Sequence, residues 1–87
     1  MCSSTALANA YNASGASPQI PANEIGLVGY ACGAPGDDWA VAKLGTTSWV
    51  SQRSSNSWTV RATGTGNLCE GGIPAALCTQ LWAEIPS

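Results

Sequence analysis

Four cysteines, at positions 2, 32, 69 and 78, constrain this chain more than any other feature of its 87 residues. An even cysteine set in so short a chain reads as two disulfides formed in an oxidising compartment. Size explains the need for them. A single domain of this length buries only about 60–65% of the surface its unfolded chain exposes, so its core alone leaves it marginal. Zinc is the competing use of the same residues. It calls for close pairs such as C-x2-C, whereas successive cysteines here are 30, 37 and 9 residues apart and the chain holds no histidine. No metal or other cofactor is therefore expected. Spacing alone leaves all three pairings of the four cysteines open.

Charge narrows the range of partners. Charged residues make up 9% of the chain, against about 25% in an ordinary soluble domain, and small polar residues take their place, as suits an exported protein. The net charge is −2, with Lys43, Arg53 and Arg61 as the only cations. Three cations are too few to drive nucleic-acid binding by counterion release, or to hold a basic amphipathic helix on anionic lipid. No apolar run approaches the roughly 20 residues that span a bilayer. Met1 leads directly into Cys2 with no apolar signal-peptide core, which reads as a mature chain whose export segment was replaced by an initiator Met. Cys2 has a second reading. A cysteine at the head of a mature chain, followed by Ser-Ser-Thr, is what lipobox cleavage leaves in bacterial lipoproteins, so a lipid anchor at Cys2 is the alternative to its disulfide.

The order of the elements predicts an α+β domain, a small antiparallel sheet of three to four strands with a short helix at each end of the chain. Residues 3–13 suit a helix capped by Ser3 or Ser4, with Leu7 and Tyr11 on one face. Residues 14–22 carry two prolines and a glycine and read as a connector. Alternation of Ile25, Leu27 and Gly29 predicts a strand within 24–33, followed by a turn at 33–38. Short segments at 39–44, 48–53 and 57–63 are separated by GTT and SSN, connections suited to antiparallel hairpins. On the third, Trp58, Val60 and Ala62 alternate with Thr59, Arg61 and Thr63, the pattern of a half-buried strand. Pro74 opens a last helix carrying Leu77, Cys78, Leu81 and Trp82, and Pro86 ends it. The single domain thus divides into a helix and connector (1–23), a sheet (24–63), and a loop with the C-terminal helix (64–87).

The runs CGAPGDDWAVAKL, SWVSQRSSNSWTV and GTGNLCEGGIPAAL resemble a group of small secreted actinobacterial proteins of unknown function. Their pattern is a cysteine shortly before a WAVA strand, a tryptophan strand ending in a Gly/Ser-rich turn, and a second cysteine leading to a proline-led helix. Here those positions are Cys32, Trp39 to Ala42, Trp58 to Val60, Cys69 and Pro74, within about residues 25–82. The resemblance implies export and a Cys32–Cys69 disulfide, which leaves Cys2 to pair with Cys78. It implies no activity.

Catalysis finds little support in these residues. Without histidine the usual base for a Ser or Cys nucleophile is missing. Asp37 and Asp38 form the only adjacent carboxylate pair and read as a solvated turn, while Glu24, Glu70 and Glu84 are scattered singly. No serine lies in a G-x-S-x-G elbow, and GTGN at 64–67 is not a phosphate loop. Trp39 and Trp58 read as core residues, and Trp82 as packing the sheet. Trp49 shares a strand face with Ser51 and Arg53. With Val50 pointing inward, Trp49 and Arg53 project together from the exposed face, some 13 Å apart at about 3.3 Å per residue, and would stack on a glycan or an extended peptide. The expected function is a non-enzymatic binding module, secreted or otherwise extracytoplasmic at a bacterial envelope, with a protein or glycan partner. The alternative is a small secreted peptidase inhibitor presenting segment 53–57 or 69–74.

Overall fold

The computed structural model describes residues 2–33 and 38–86. Helix α1 spans Ser4–Ala13, and its cap is Ser3, whose hydroxyl accepts a hydrogen bond from the Ala6 N–H at 3.0 Å. Leu7, Ala8 and Tyr11 form its buried face, as the i,i+4 spacing requires. A 3-10 helix over Ala22–Leu27 follows the connector. The expected strand across 24–33 therefore begins only at Gly29. Pro21 stands extended at the cap, the Glu24 N–H bonds the Pro21 carbonyl at 2.9 Å, and Leu27 is left 71% exposed.

Strands β1 (Gly29–Gly33), β2 (Trp39–Leu44), β3 (Thr47–Ser54) and β4 (Ser57–Gly64) make one antiparallel sheet in chain order. The turn expected at 33–38 falls largely on residues 34–37, outside the described residues. Both later turns have two residues, Gly45–Thr46 and Ser55–Asn56, with positive φ at the first. Glycine suits that position in a type II′ hairpin turn, and Ser55 occupies it without that freedom. Helix α2, Ala75–Glu84, follows Pro74, which stands at the cap.

The two helices lie on opposite faces of the sheet. Across the strands, Cys32, Ala40, Ser51 and Val60 are register partners, and so are Ala31, Val41, Val50 and Ala62. The first row belongs with Leu7, Tyr11 and Trp49 in the core under α1, the second with Cys78, Leu81 and Trp82 under α2. Two separate cores result. A sheet covered on both sides reads as near-continuous apolar sequence, and WAVAKL is that strand. At Gly33 a Cβ would come within 2.7 Å of Leu77 Cδ1, so a side chain there would force the Leu77 tip of α2 to shift.

The expected phase of β4 holds only as far as Val60. Val50 pairs with Ala62 and Ser51 with Val60, leaving Arg61 as the extra residue of a bulge. With side chains alternating at period two, one inserted residue sends everything beyond it to the other face. Trp58 and Val60 therefore pack under α1 and Ala62 under α2.

The disulfides join Cys2 to Cys32 and Cys69 to Cys78, with Cα separations of 6.5 and 5.8 Å. This corrects the pairing implied by the resemblance, Cys32–Cys69 with Cys2–Cys78. The reason is the sheet itself. Cys2 and Cys32 pack in the α1 core while Cys78 is in the α2 core, so the implied bonds would have to pass through the strands. In this structure the Cys2 sulfur is bonded to Cys32. Loops of 30 and 9 residues contribute about 3.6 and 2.6 kcal/mol in the chain-entropy account, and each bond fixes one helix layer.

One tryptophan anchors each layer. The Trp49 indole N–H donates to the Leu7 carbonyl of α1 at 3.2 Å, and its ring centroid lies 4.6 Å from that of Tyr11. The Trp82 indole N–H donates to the Leu68 carbonyl at 2.9 Å, tying α2 to the loop that leads into it. Trp39 and Trp58 are half-buried. Trp49→Ala should cost about 3–5 kcal/mol and Trp49→Phe about 1–2, the lost bond and ring volume together. Urea unfolding with the disulfides intact measures both, and a Trp49→Ala cost no larger than that of Trp58→Ala would contradict this anchoring role. Ser51 predicts the opposite sign. Its hydroxyl is buried without a hydrogen-bond partner among the described residues, so Ser51→Ala should leave stability unchanged or raise it by up to about 1 kcal/mol.

Candidate functional site

A cleft of about 280 Å³ opens where the connector passes the turn between β2 and β3. Its walls are mostly apolar, from Pro18 and Ile20 on one side and Leu44 on the other, with the tilted, contacting Tyr11 and Trp49 rings also lining it. Gln19, Glu24 and Thr47 supply the polar groups, and Glu24 is the one charged residue in the lining.

Asn12, near the end of α1, holds the connector in place. Its side-chain amide donates to the Ile20 carbonyl at 3.0 Å, while its side-chain oxygen accepts from the Ile20 N–H at 2.8 Å. A side chain thereby pairs with a backbone as a neighbouring strand would. The Gln19 amide adds bonds to the carbonyls of Asn12 and Ala16, at 3.2 and 2.9 Å. Ile20 is thus pressed into the core, and Glu24 is brought to the cleft by the 3-10 helix that follows.

Glu24 is half-buried, and none of the cations of the described residues forms an ion pair with it. A carboxylate partly removed from water, beside apolar walls, favours a cation that brings its own apolar stem. The arrangement is suited to binding. The titratable groups of the lining are Glu24 and the phenol of Tyr11. Among the described residues no group of three or more His, Cys, Asp or Glu could hold a metal ion.

The pair expected to carry recognition, Trp49 and Arg53, does not form a surface. Both point to the α1 side of β3, but Trp49 is 0% exposed because α1 covers it. The expectation assumed that one face of this strand meets solvent. Instead Val50 is buried beneath α2 and Trp49 beneath α1. Arg53 lies beyond that cover and reaches Asp38, with Nη2 3.9 Å from its carboxylate, a surface ion pair of under about 1 kcal/mol. Asp37, the other half of the adjacent carboxylate pair, is outside the described residues. Glu70 and Glu84 are exposed and far from each other in sequence. Glu24 went unrecognised because its partners, Tyr11, Ile20 and Leu44, meet only through tertiary folding. No local motif marks it.

No protein-family model, curated protein or solved structure matches the chain. Among the described residues no helix is long and apolar enough to cross a membrane.

Asn12→Ala removes both bonds to Ile20 at once. It should lower stability by about 2 kcal/mol, near 1 kcal/mol for each partly buried hydrogen bond. Amide exchange should accelerate at Gln19 and Ile20 before it does in the sheet, and uniform acceleration would show that Asn12 does not specifically hold the cleft wall.

Proposed function

We propose that this chain is a non-enzymatic, exported binding protein of a bacterial envelope, and that its ligand inserts a cationic group on an apolar stem into the Glu24 cleft. The observation that carries the reading is the half-buried carboxylate of Glu24 among apolar walls, without an ion partner among the described residues. Export is supported by the two disulfides, which persist in oxidising compartments, by the low charge of the chain, and by the resemblance to small secreted actinobacterial proteins. A lysine or arginine side chain of a partner protein has the required form, an aliphatic stem that packs on the walls and a head that meets the carboxylate.

A second reading, peptidase inhibition, draws on one feature. The loop from Cys69 to Pro74, exposed except at the buried Ile73, is clamped by the Cys69–Cys78 bond and by the Trp82 bond to Leu68, and a rigid loop loses little entropy on docking.

Titration with butylamine, read by amide and indole NMR shifts, tests the first reading. Shifts should centre on Tyr11, Gln19, Thr47 and the Trp49 indole, butanol should bind at least tenfold more weakly, and Glu24→Gln should abolish that preference. Equal binding of amine and alcohol defeats the proposal. Stoichiometric loss of activity in a secreted serine or cysteine peptidase, sensitive to Glu70 but not Glu24, would establish the inhibitor reading instead.

A further inference from the structure

The three cations of this chain are not equally engaged. Arg53 meets Asp38, and the Arg61 Nε donates to the Gln52 side chain at 3.1 Å. Lys43 has no ion pair among the described residues. It sits near the end of β2, between Gly29 of β1 and Ser48 of β3, on the sheet face that carries α2. A cavity of about 300 Å³ lies there, lined by Lys43, Thr46, Ser48, Thr65 and Asn67 with turn glycines between them. No carboxylate is among these residues. The lining offers one ammonium, three hydroxyls and one amide, a set rich in donors.

Lys43 is also restrained. Its stem lies in the space that Gly29 leaves, with Cγ and Cε 3.8 and 3.9 Å from where a Cβ would stand. A half-buried lysine held along its stem has less rotamer freedom to lose when a ligand binds.

We propose that this cavity is a subsite for the carboxylate of an acidic saccharide, with Lys43 meeting the carboxylate and the hydroxyl and amide groups of Thr46, Ser48, Thr65 and Asn67 meeting sugar hydroxyls. One cation matches one negative charge, and charge-assisted hydrogen bonds are the strong ones in such a site. A dianionic phosphate would leave one charge unmatched on a chain that is already at −2. Ser, Thr and Asn both donate and accept, as alternating sugar hydroxyls require. The two cavities share only Gly45 of the turn, and no side chain assigned to one lines the other, so either assignment can fail without the other.

The test is an amide NMR titration of the full chain with methyl glucuronide, methyl glucoside and inorganic phosphate. The glucuronide should shift Lys43, Thr46, Ser48, Thr65 and Asn67, bind at least tenfold more tightly than the glucoside, and weaken as salt is raised. Lys43→Gln should lose this preference with its spectrum otherwise folded, Lys43→Arg should largely keep it, and Glu24→Gln should leave it unchanged. Absence of shifts, or glucuronide binding equal in Lys43→Gln and the parent chain, overturns the proposal. Phosphate binding more tightly than glucuronide overturns the saccharide assignment.

Discussion

The architecture depends on the indole of Trp49. It sits on an interior strand with no exposed surface, packs at a tilt against Tyr11, and donates its one hydrogen bond to the backbone of α1 at Leu7. Trp58 and Val60 of β4 also meet α1, but over β2 and β3 the neighbours of Trp49 are the small Ala40, Ala42 and Ser51, so its ring fills that part of the layer. The polar tip lets a large apolar body be buried without an orphaned donor. Once α1 is held on one face, the other face is left for α2, and the sheet becomes a partition between two cores.

That partition explains the disulfides. Each core of an 87-residue chain is too small to hold its helix strongly by burial alone, and neither bond could serve both sides. Cys2–Cys32 pins the start of α1 to an edge strand, and Cys69–Cys78 pins α2 to its preceding loop. The longer loop removes more freedom from the unfolded chain, in keeping with its task of joining segments distant in sequence. The shorter bond and the Trp82 contact with Leu68 act on the same loop.

Local chemistry was readable from the residues. The Ser3 cap, the Leu7 and Tyr11 face, the three tryptophan strands and the proline-led last helix all depend on neighbours within a few positions, and each stands where the pattern places it. What was not readable depends on layer assignment. Period-two alternation says which residues share a face but not whether a helix covers it, so Trp49 and Arg53 looked like one exposed pair. The bulge at Arg61 has no sequence mark, since only its pairing with β3 reveals the extra residue. The cysteine pairing follows from which face each thiol occupies and could not precede that knowledge. WAVAKL was the clue available: an uninterrupted apolar strand implies cover on both sides, and that alone argues against an exposed face on the strand beside it.

In a chain with three cations and five acids, where the charges stand says more than how many there are. Arg53 and Arg61 are engaged with neighbours on the sheet, and Glu70 and Glu84 lie in open water. Glu24 and Lys43 are different, for each borders a cavity and neither has an ion partner among the described residues. The two cavities share Gly45, one on the α1 side of the β2–β3 turn and one on the α2 side. A two-residue turn is thin, so opposite charges stand on its two flanks at the same end of the molecule. Glu24 and Lys43 thus line cavities on opposite sides of the turn and form no ion pair with each other. Each charge thereby borders its own cavity without an ion partner among the described residues.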